Sequence, residues 1–295
     1  MSTANFQTKE PVSIGCPVWS CPGWKGSVYP AKAAKASWLK YYSQSFNTVE
    51  GNSSFYGIPT TDTFKRWADE SAEGFQFCFK FPRVISHDCR LVGAARETDQ
   101  FLEGIQILRD NNRQGVTFLQ LGPDFSPQYF FALKSYLAAL PEELSFAVEV
   151  RHGDWFSQPV ETELNGLLAE MEIDRVLFDS RALYSAPPTD EYEERSQVRK
   201  PNPPHRRIAT AQSPMLRFIG RNNVETLTPW IDEWVPVLEA WIKEGKHPYV
   251  FAHTPDDTFA PQFARRIRNA LARRIDGMTP IDEWPFHEQK QMNLF

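Results

Sequence analysis

The stretch SFAVEVRHGDW (145–155) begins as a core strand and ends as something else. Phe146, Ala147, Val148 and Val150 are apolar and mostly strand-favouring, yet Glu149 interrupts them and Arg151, His152 and Asp154 follow at once. Side chains alternate between the two faces of a strand, so Glu149 and Arg151 share one face while Val148 and Val150 share the other. A strand packed on helices by one face and ending in an acid and a base on its other face suits the mouth of a closed parallel barrel. That reading requires the same pattern at the other strand ends.

Working outward, short apolar or β-branched runs bounded by turn residues occur at VSIG (12–15), FNTVEGN (46–52), FQFCFKF (75–81) and VTFLQLG (116–122). The stretch above supplies SFAVEVR (145–151), and RVLFDSR (175–181), MLRFIG (215–220) and YVFAHT (249–254) complete eight. Amphipathic patterns fill the gaps at 32–46, 61–72, 98–112, 127–140, 161–173, 227–245 and 263–275. Between strands six and seven, TDEYEERSQVRK (189–200) alone looks helical. Eight strands spaced roughly 30–40 residues apart predict a single (β/α)8 barrel, with an open doubly wound sheet as the alternative. The predicted limits are an N-terminal extension over 1–11, a barrel over 12–277 with a long loop at about 182–213, and a C-terminal tail over 278–295.

A net charge of −5 gives no global basic signature for nucleic acid. No apolar run reaches the roughly 20 residues that span a bilayer, and MSTANFQTKEP has no apolar core of a secretory signal. The expectation is a cytoplasmic protein that contacts no membrane. Its four cysteines lack C-x-x-C spacing and read as reduced, small packing residues.

The other strand ends repeat the pattern. They offer Glu50 and Asn52, Lys80, Gln120, Asp179 with Arg181, Arg217, and His253 followed by Asp256. A lone buried charge is most simply a structural ion pair. A ring of them at one mouth points to ligand binding or catalysis, because each buried charge costs several kcal/mol unless compensated.

GCPVWSCPGWKGSVYP (15–30), FNTVEGNSSFYGIP (46–59), FQFCFKFPRVISHD (75–88), FLQLGPDF (118–125), FAVEVRHGDWF (146–156) and LRFIG (216–220) together resemble the YecE-like proteins, domain of unknown function 72. The resemblance runs in order from about Ile14 to His253. It implies a TIM-type barrel and supplies no reaction. By position it places the family's polar residues on Glu50, Asn52, Lys80, His87, Gln120, Glu149, Arg151, His152, Asp179 and Arg217. At strand eight, FAHTPDD departs from the asparagine-rich turn of many relatives.

Arginine forks suit carboxylate or phosphate, so a small anionic ligand is expected. Glu50, Lys80, Glu149 and Asp179 are the candidate catalytic residues. Asn52, Gln120, Arg151, His152, Arg217 and His253 are candidate ligand contacts, with Trp19 and Tyr56 as stacking surfaces. Three chemistries compete, spanning hydrolase and lyase or isomerase reactions. Glu149 and Asp179 with His152 or His253 could hold a divalent metal. Glu50 and Glu149 could be a glycosidase acid/base pair. A desolvated Lys80 could act as base or Schiff-base former. Under any of them, Glu149→Gln or Lys80→Met is expected to abolish ligand binding with modest loss of stability.

The non-catalytic alternative is a nucleic-acid- or clamp-associated binding protein. Residues 181–221 carry eight Lys and Arg against four acids, and RKPNPPHRR (199–207) could hold phosphates. The C-terminal QMNLF (291–295) resembles the peptide that bacterial DNA-repair proteins insert into a sliding clamp, with Gln291, Met292, Leu294 and Phe295 as anchors.

Overall fold

A computed structural model describes residues 10–286. The strands are β1 (Ser13–Cys16), β2 (Thr48–Gly51), β3 (Gln76–Phe79), β4 (Thr117–Gln120), β5 (Phe146–Glu149), β6 (Asp174–Asp179), β7 (Met215–Ile219) and β8 (Tyr249–His253). All pairings are parallel, in the order β3-β2-β1-β8-β7-β6-β5-β4. β3 and β4 close the ring through two isolated bridges, Phe77 with Gln114 and Lys80 with Phe118, in place of a continuous ladder. The architecture is a single (β/α)8 barrel with one loosely stitched joint.

The helices are α1 (Trp38–Ser45), the single turn α2 (Ser53–Tyr56), α3 (Thr61–Glu70), α4 (Ala95–Asp110), α5 (Phe130–Ala138), α6 (Val160–Glu170), α7 (Glu191–Arg199), α8 (Thr228–Lys243) and α9 (Ala260–Ala272). Caps fix several starts. The Thr60 side chain accepts the Thr63 amide at the head of α3, and Asp190 accepts the Tyr192 and Glu193 amides at the head of α7. The long loop foreseen at 182–213 therefore contains a helix. No helix among the described residues is long and apolar enough to cross a membrane.

Alternation splits the core in two. Phe146, Val148 and Val150 pack outward with the helices, in one continuous apolar shell with Leu164 and Leu168 of α6. Inside the ring, Cys78, Val116, Phe118, Ala147, Val176, Met215, Tyr249 and Phe251 form a separate apolar plug. Above that plug the inward positions become polar. The described part of the tail is packed: Arg268 Nε donates to the Thr279 carbonyl, Asn269 exchanges two bonds with the Ile281 backbone, and the Phe286 amide donates to Ser27.

Candidate functional site

Two residues beyond plug positions, the strands turn Lys80, Gln120, Glu149, Arg217 and His253 into the barrel mouth, and Glu50 follows Thr48 in the same way, as a period of two requires. Arg217 is the hub. Its Nε and Nη2 each lie 2.8 Å from a Glu50 oxygen, and its Nη1 lies 2.6 Å from Glu149 Oε2. The other Glu149 oxygen accepts from Gln120 Nε2 at 2.8 Å and Arg151 Nε at 2.7 Å. Glu50 also accepts from Asn52 Nδ2 at 2.7 Å and faces His253 Nε2 at 3.0 Å. Glu50, Glu149 and Arg217 are at most 4% exposed.

Burial pushes the Glu50 carboxyl up, but Arg217 and His253 more than offset this and hold it well below the usual range. Glu149 behaves alike, brought down to about 2 against its burial by Arg217 and Arg151. His253 is pushed down to about 4, chiefly by burial, so at neutral pH it is uncharged and its Nε2–H donates to Glu50. Two carboxylates thus face two guanidiniums, and their charges balance.

Lys80 is the exception. Its Nζ donates to Gln120 Oε1 at 2.6 Å and sits 3.4 Å above the centre of the Phe55 ring, on α2. Neither partner is charged, and among the described residues Lys80 forms no ion pair with a carboxylate. Burial, then repulsion from Arg217, brings its amine down to about 7. Phe55 was one aromatic among several in the sequence; the structure makes it the lysine's roof. The His87 and Phe55 rings meet in a T-shaped contact, their centroids 5.1 Å apart.

Other candidates lie elsewhere. Asp179 points out of the barrel, because Phe178 takes the inward position beneath the Arg151 and Arg217 guanidiniums. Its carboxylate is held by Arg181 and, at 2.7 Å, by Trp234 Nε1 of α8. His152 is half-buried at the rim, where Nδ1 accepts the Asp154 amide outside the network. Trp19 packs edge-on against Trp67, Phe77 and Phe79 in the outer shell. Tyr56 is 85% exposed and touches Phe55 alone among the rings. Gln291, Met292, Leu294 and Phe295 lie outside the described residues.

The metal set expected from Glu149, Asp179 and a histidine is not assembled: Asp179 and His152 face away, and Glu149 is filled by Arg217, Arg151 and Gln120. Among the described residues no three His, Cys, Asp or Glu side chains gather to hold a metal ion. The basic arm is partly committed. Arg206 chelates Glu161, while Arg207 and Arg181 share Glu233. Those pairs engage Arg206 and Arg207 of the arm, and neither Arg199 nor Lys200.

Two further groups bear on the mouth, Lys200 having been read from the sequence only as part of the basic arm and Asp257 not singled out. Lys200, just beyond α7, is brought down to about 8 by burial and Arg217. Asp257, after β8, is raised to about 6 by burial, with Lys200 opposing. Both come from loops, where no periodicity marks which side chains turn inward. Two surface clefts lie off the mouth. One of about 430 Å3 is bounded by Asp190, Asn222, Glu225 and Phe259, and one of about 290 Å3 lies between α8 and α9. At the mouth, the segment after β6 lays Leu183 and Tyr184 on Phe178 and Ile219.

The profile described as "Protein of unknown function DUF72" matches residues 13–288. The UPF0759 protein YecE of Escherichia coli strain K12 is 33% identical over 285 residues, 96% of this chain and 100% of that protein. Its counterpart in Escherichia coli O157:H7 is 32% identical over the same shares. The crystal structure of a DUF72 family protein from Thermotoga maritima MSB8 superposes with a TM-score of 0.64 at 23% identity, covering 87% of this chain and 98% of that one. One from Enterococcus faecalis V583 gives 0.64 at 18%, covering 87% and 96%. The profile match and the YecE relatives agree, and the chain belongs to the DUF72 family.

Proposed function

We propose that the barrel mouth is a metal-free site for a small anionic ligand bearing phosphate or carboxylate, with the Lys80 amine as its reactive group. One observation carries this reading: Lys80 is a buried cation whose direct partners are a neutral amide and an aromatic face, inside a network whose other charges cancel. A buried charge without a counter-ion is costly, and an incoming anion supplies the missing one. An amine that titrates near 7 is also poised to accept a proton or attack a carbonyl at physiological pH.

The glycosidase alternative fits less well. It needs one carboxyl kept protonated, whereas Glu50 and Glu149 are both held ionised by one guanidinium. The test is a thermal-shift series with inorganic phosphate, sugar phosphates and small carboxylates at neutral pH. At least one anion should raise the melting temperature of the wild type by several degrees and leave Lys80→Met unmoved. Equal shifts in both proteins would remove the proposal.

A further inference from the structure

The segment from Ser180 to Arg207 crosses the mouth as a strap. Its two roots are riveted to the outer helices, Arg181 to Asp179 and Glu233 at one end, Arg206 to Glu161 and Arg207 to Glu233 at the other. Between the roots, Leu183 and Tyr184 lie on Phe178 and Ile219, the last inward side chains of β6 and β7. Many of the strap's polar contacts are internal: Tyr184 Oη donates to the Gln197 and Lys200 carbonyls, and Gln197 Nε2 to Leu183 and Ala186.

Among the described residues, the span's hydrogen bonds to the body outside the roots go to one junction, Arg221 and Asn222, just beyond β7. Arg221 donates to both Glu193 oxygens and to the Pro187 carbonyl. The Asn222 amide nitrogen donates to Glu193, and its side chain to Asp190. Glu193 is fully buried, and Arg221 is 6% exposed. Beyond the packing of Leu183 and Tyr184, the Glu193–Arg221 ion pair and its Asn222 neighbour hold the middle of the strap onto the mouth.

What the strap delivers is Lys200. Tyr184 and the Ser196 carbonyl fix its backbone, while its ammonium lies within electrostatic reach of Arg217, Glu50, Arg151 and Asp257. It makes no hydrogen bond or ion pair among the described residues. It is a second amine close to the mouth network, with an unfilled donor set. The strap packs on Phe178 and Ile219 at the mouth, so lifting it would widen the way in for a ligand.

We propose that Lys200 is a ligand-binding residue of the mouth, carried by a strap that opens at the Glu193–Arg221 latch and closes Lys200 and Lys80 onto the same phosphate or carboxylate ligand. This inference rests on the anion site proposed above.

Labelling with pyridoxal 5′-phosphate tests both. Its aldehyde condenses with a neutral amine to an imine with loss of water, borohydride fixes the adduct, and peptide mapping gives the rate at each lysine. Lys80 and Lys200 should be trapped well ahead of exposed Lys65, and inorganic phosphate or succinate should protect both. Glu193→Gln, which weakens the latch, should speed labelling of Lys80 several-fold. Lys200→Met should weaken anion protection of Lys80 about tenfold, the loss of one charge-assisted bond of about 1.4 kcal/mol. Tyr184→Phe loosens the same strap by one hydroxyl and serves if Glu193→Gln does not fold.

Protection of Lys80 with none at Lys200 would overturn the strap-borne residue and leave the mouth proposal standing. Protection at neither lysine by either anion would overturn both. An unchanged Lys80 rate in both latch variants would overturn the gating.

Discussion

Lys80 and Glu149 were indistinguishable as candidates in the sequence, and the structure separates them. Lys80 contributes a buried amine with no ion-paired carboxylate, so Lys80→Met should keep or raise stability while abolishing the anion response. Its pH dependence has a fixed sign. The unfolded chain keeps this proton up to about 10.5, whereas the fold releases it near 7. Stability should therefore rise with pH across that interval, by on the order of 2 kcal/mol between pH 7 and 9, and the rise should shrink in Lys80→Met. Urea denaturation at fixed pH values checks it. Glu149 is the reverse case, because it neutralises Arg217 and Arg151 together. Glu149→Gln leaves a buried guanidinium half-paired and should cost about 3–5 kcal/mol, well beyond the modest loss that the sequence suggests. The stability supplied by Glu149 is present above its ordinary range near 4.5 and is lost as pH falls toward 2.

At the scale of elements, the inward set on β2, β3, β5 and β7 was legible because one face of each strand is polar and the other apolar. β6 defeated that logic. In RVLFDSR both faces carry an apolar residue and a polar one, so the pattern does not say whether Phe178 or Asp179 looks inward. The structure gives the mouth to Phe178 and ties Asp179 to Arg181 and Trp234, joining β6 to α8. Asp179→Asn should therefore lower stability by about 1–3 kcal/mol and leave the anion-induced melting shift intact. A lost shift in a folded Asp179→Asn protein would return that residue to the site. α7 was read from the sequence at 189–200 and runs over Glu191–Arg199, though from a weaker pattern than the other helices. It is held by Asp190, Glu193 and their polar partners across a loop junction and shows no apolar stripe of the kind that betrays a core helix.

For the molecule as a whole, eight βα units were countable, since each strand is a short apolar run and each gap an amphipathic one. The quality of the closure was not countable, because strand-to-strand bonding leaves no trace in composition. β3 and β4 meet through two bridges where their neighbours share ladders, and the Lys80–Gln120 hydrogen bond crosses that same joint. Amides flanking the joint, at Phe77, Gly115 and Phe81, should exchange with deuterium earlier than those in the β6–β7–β8 ladder. A bound anion should slow them selectively, and uniform protection along all eight strands would contradict the assignment. A barrel stitched this way couples occupancy to stiffness. The amine that waits for a counter-ion is also the side chain that fastens the weakest edge of the cylinder. Filling the site and tightening the cylinder then become a single event, and the rigidity of the β3–β4 edge becomes a gauge of whether the mouth is occupied.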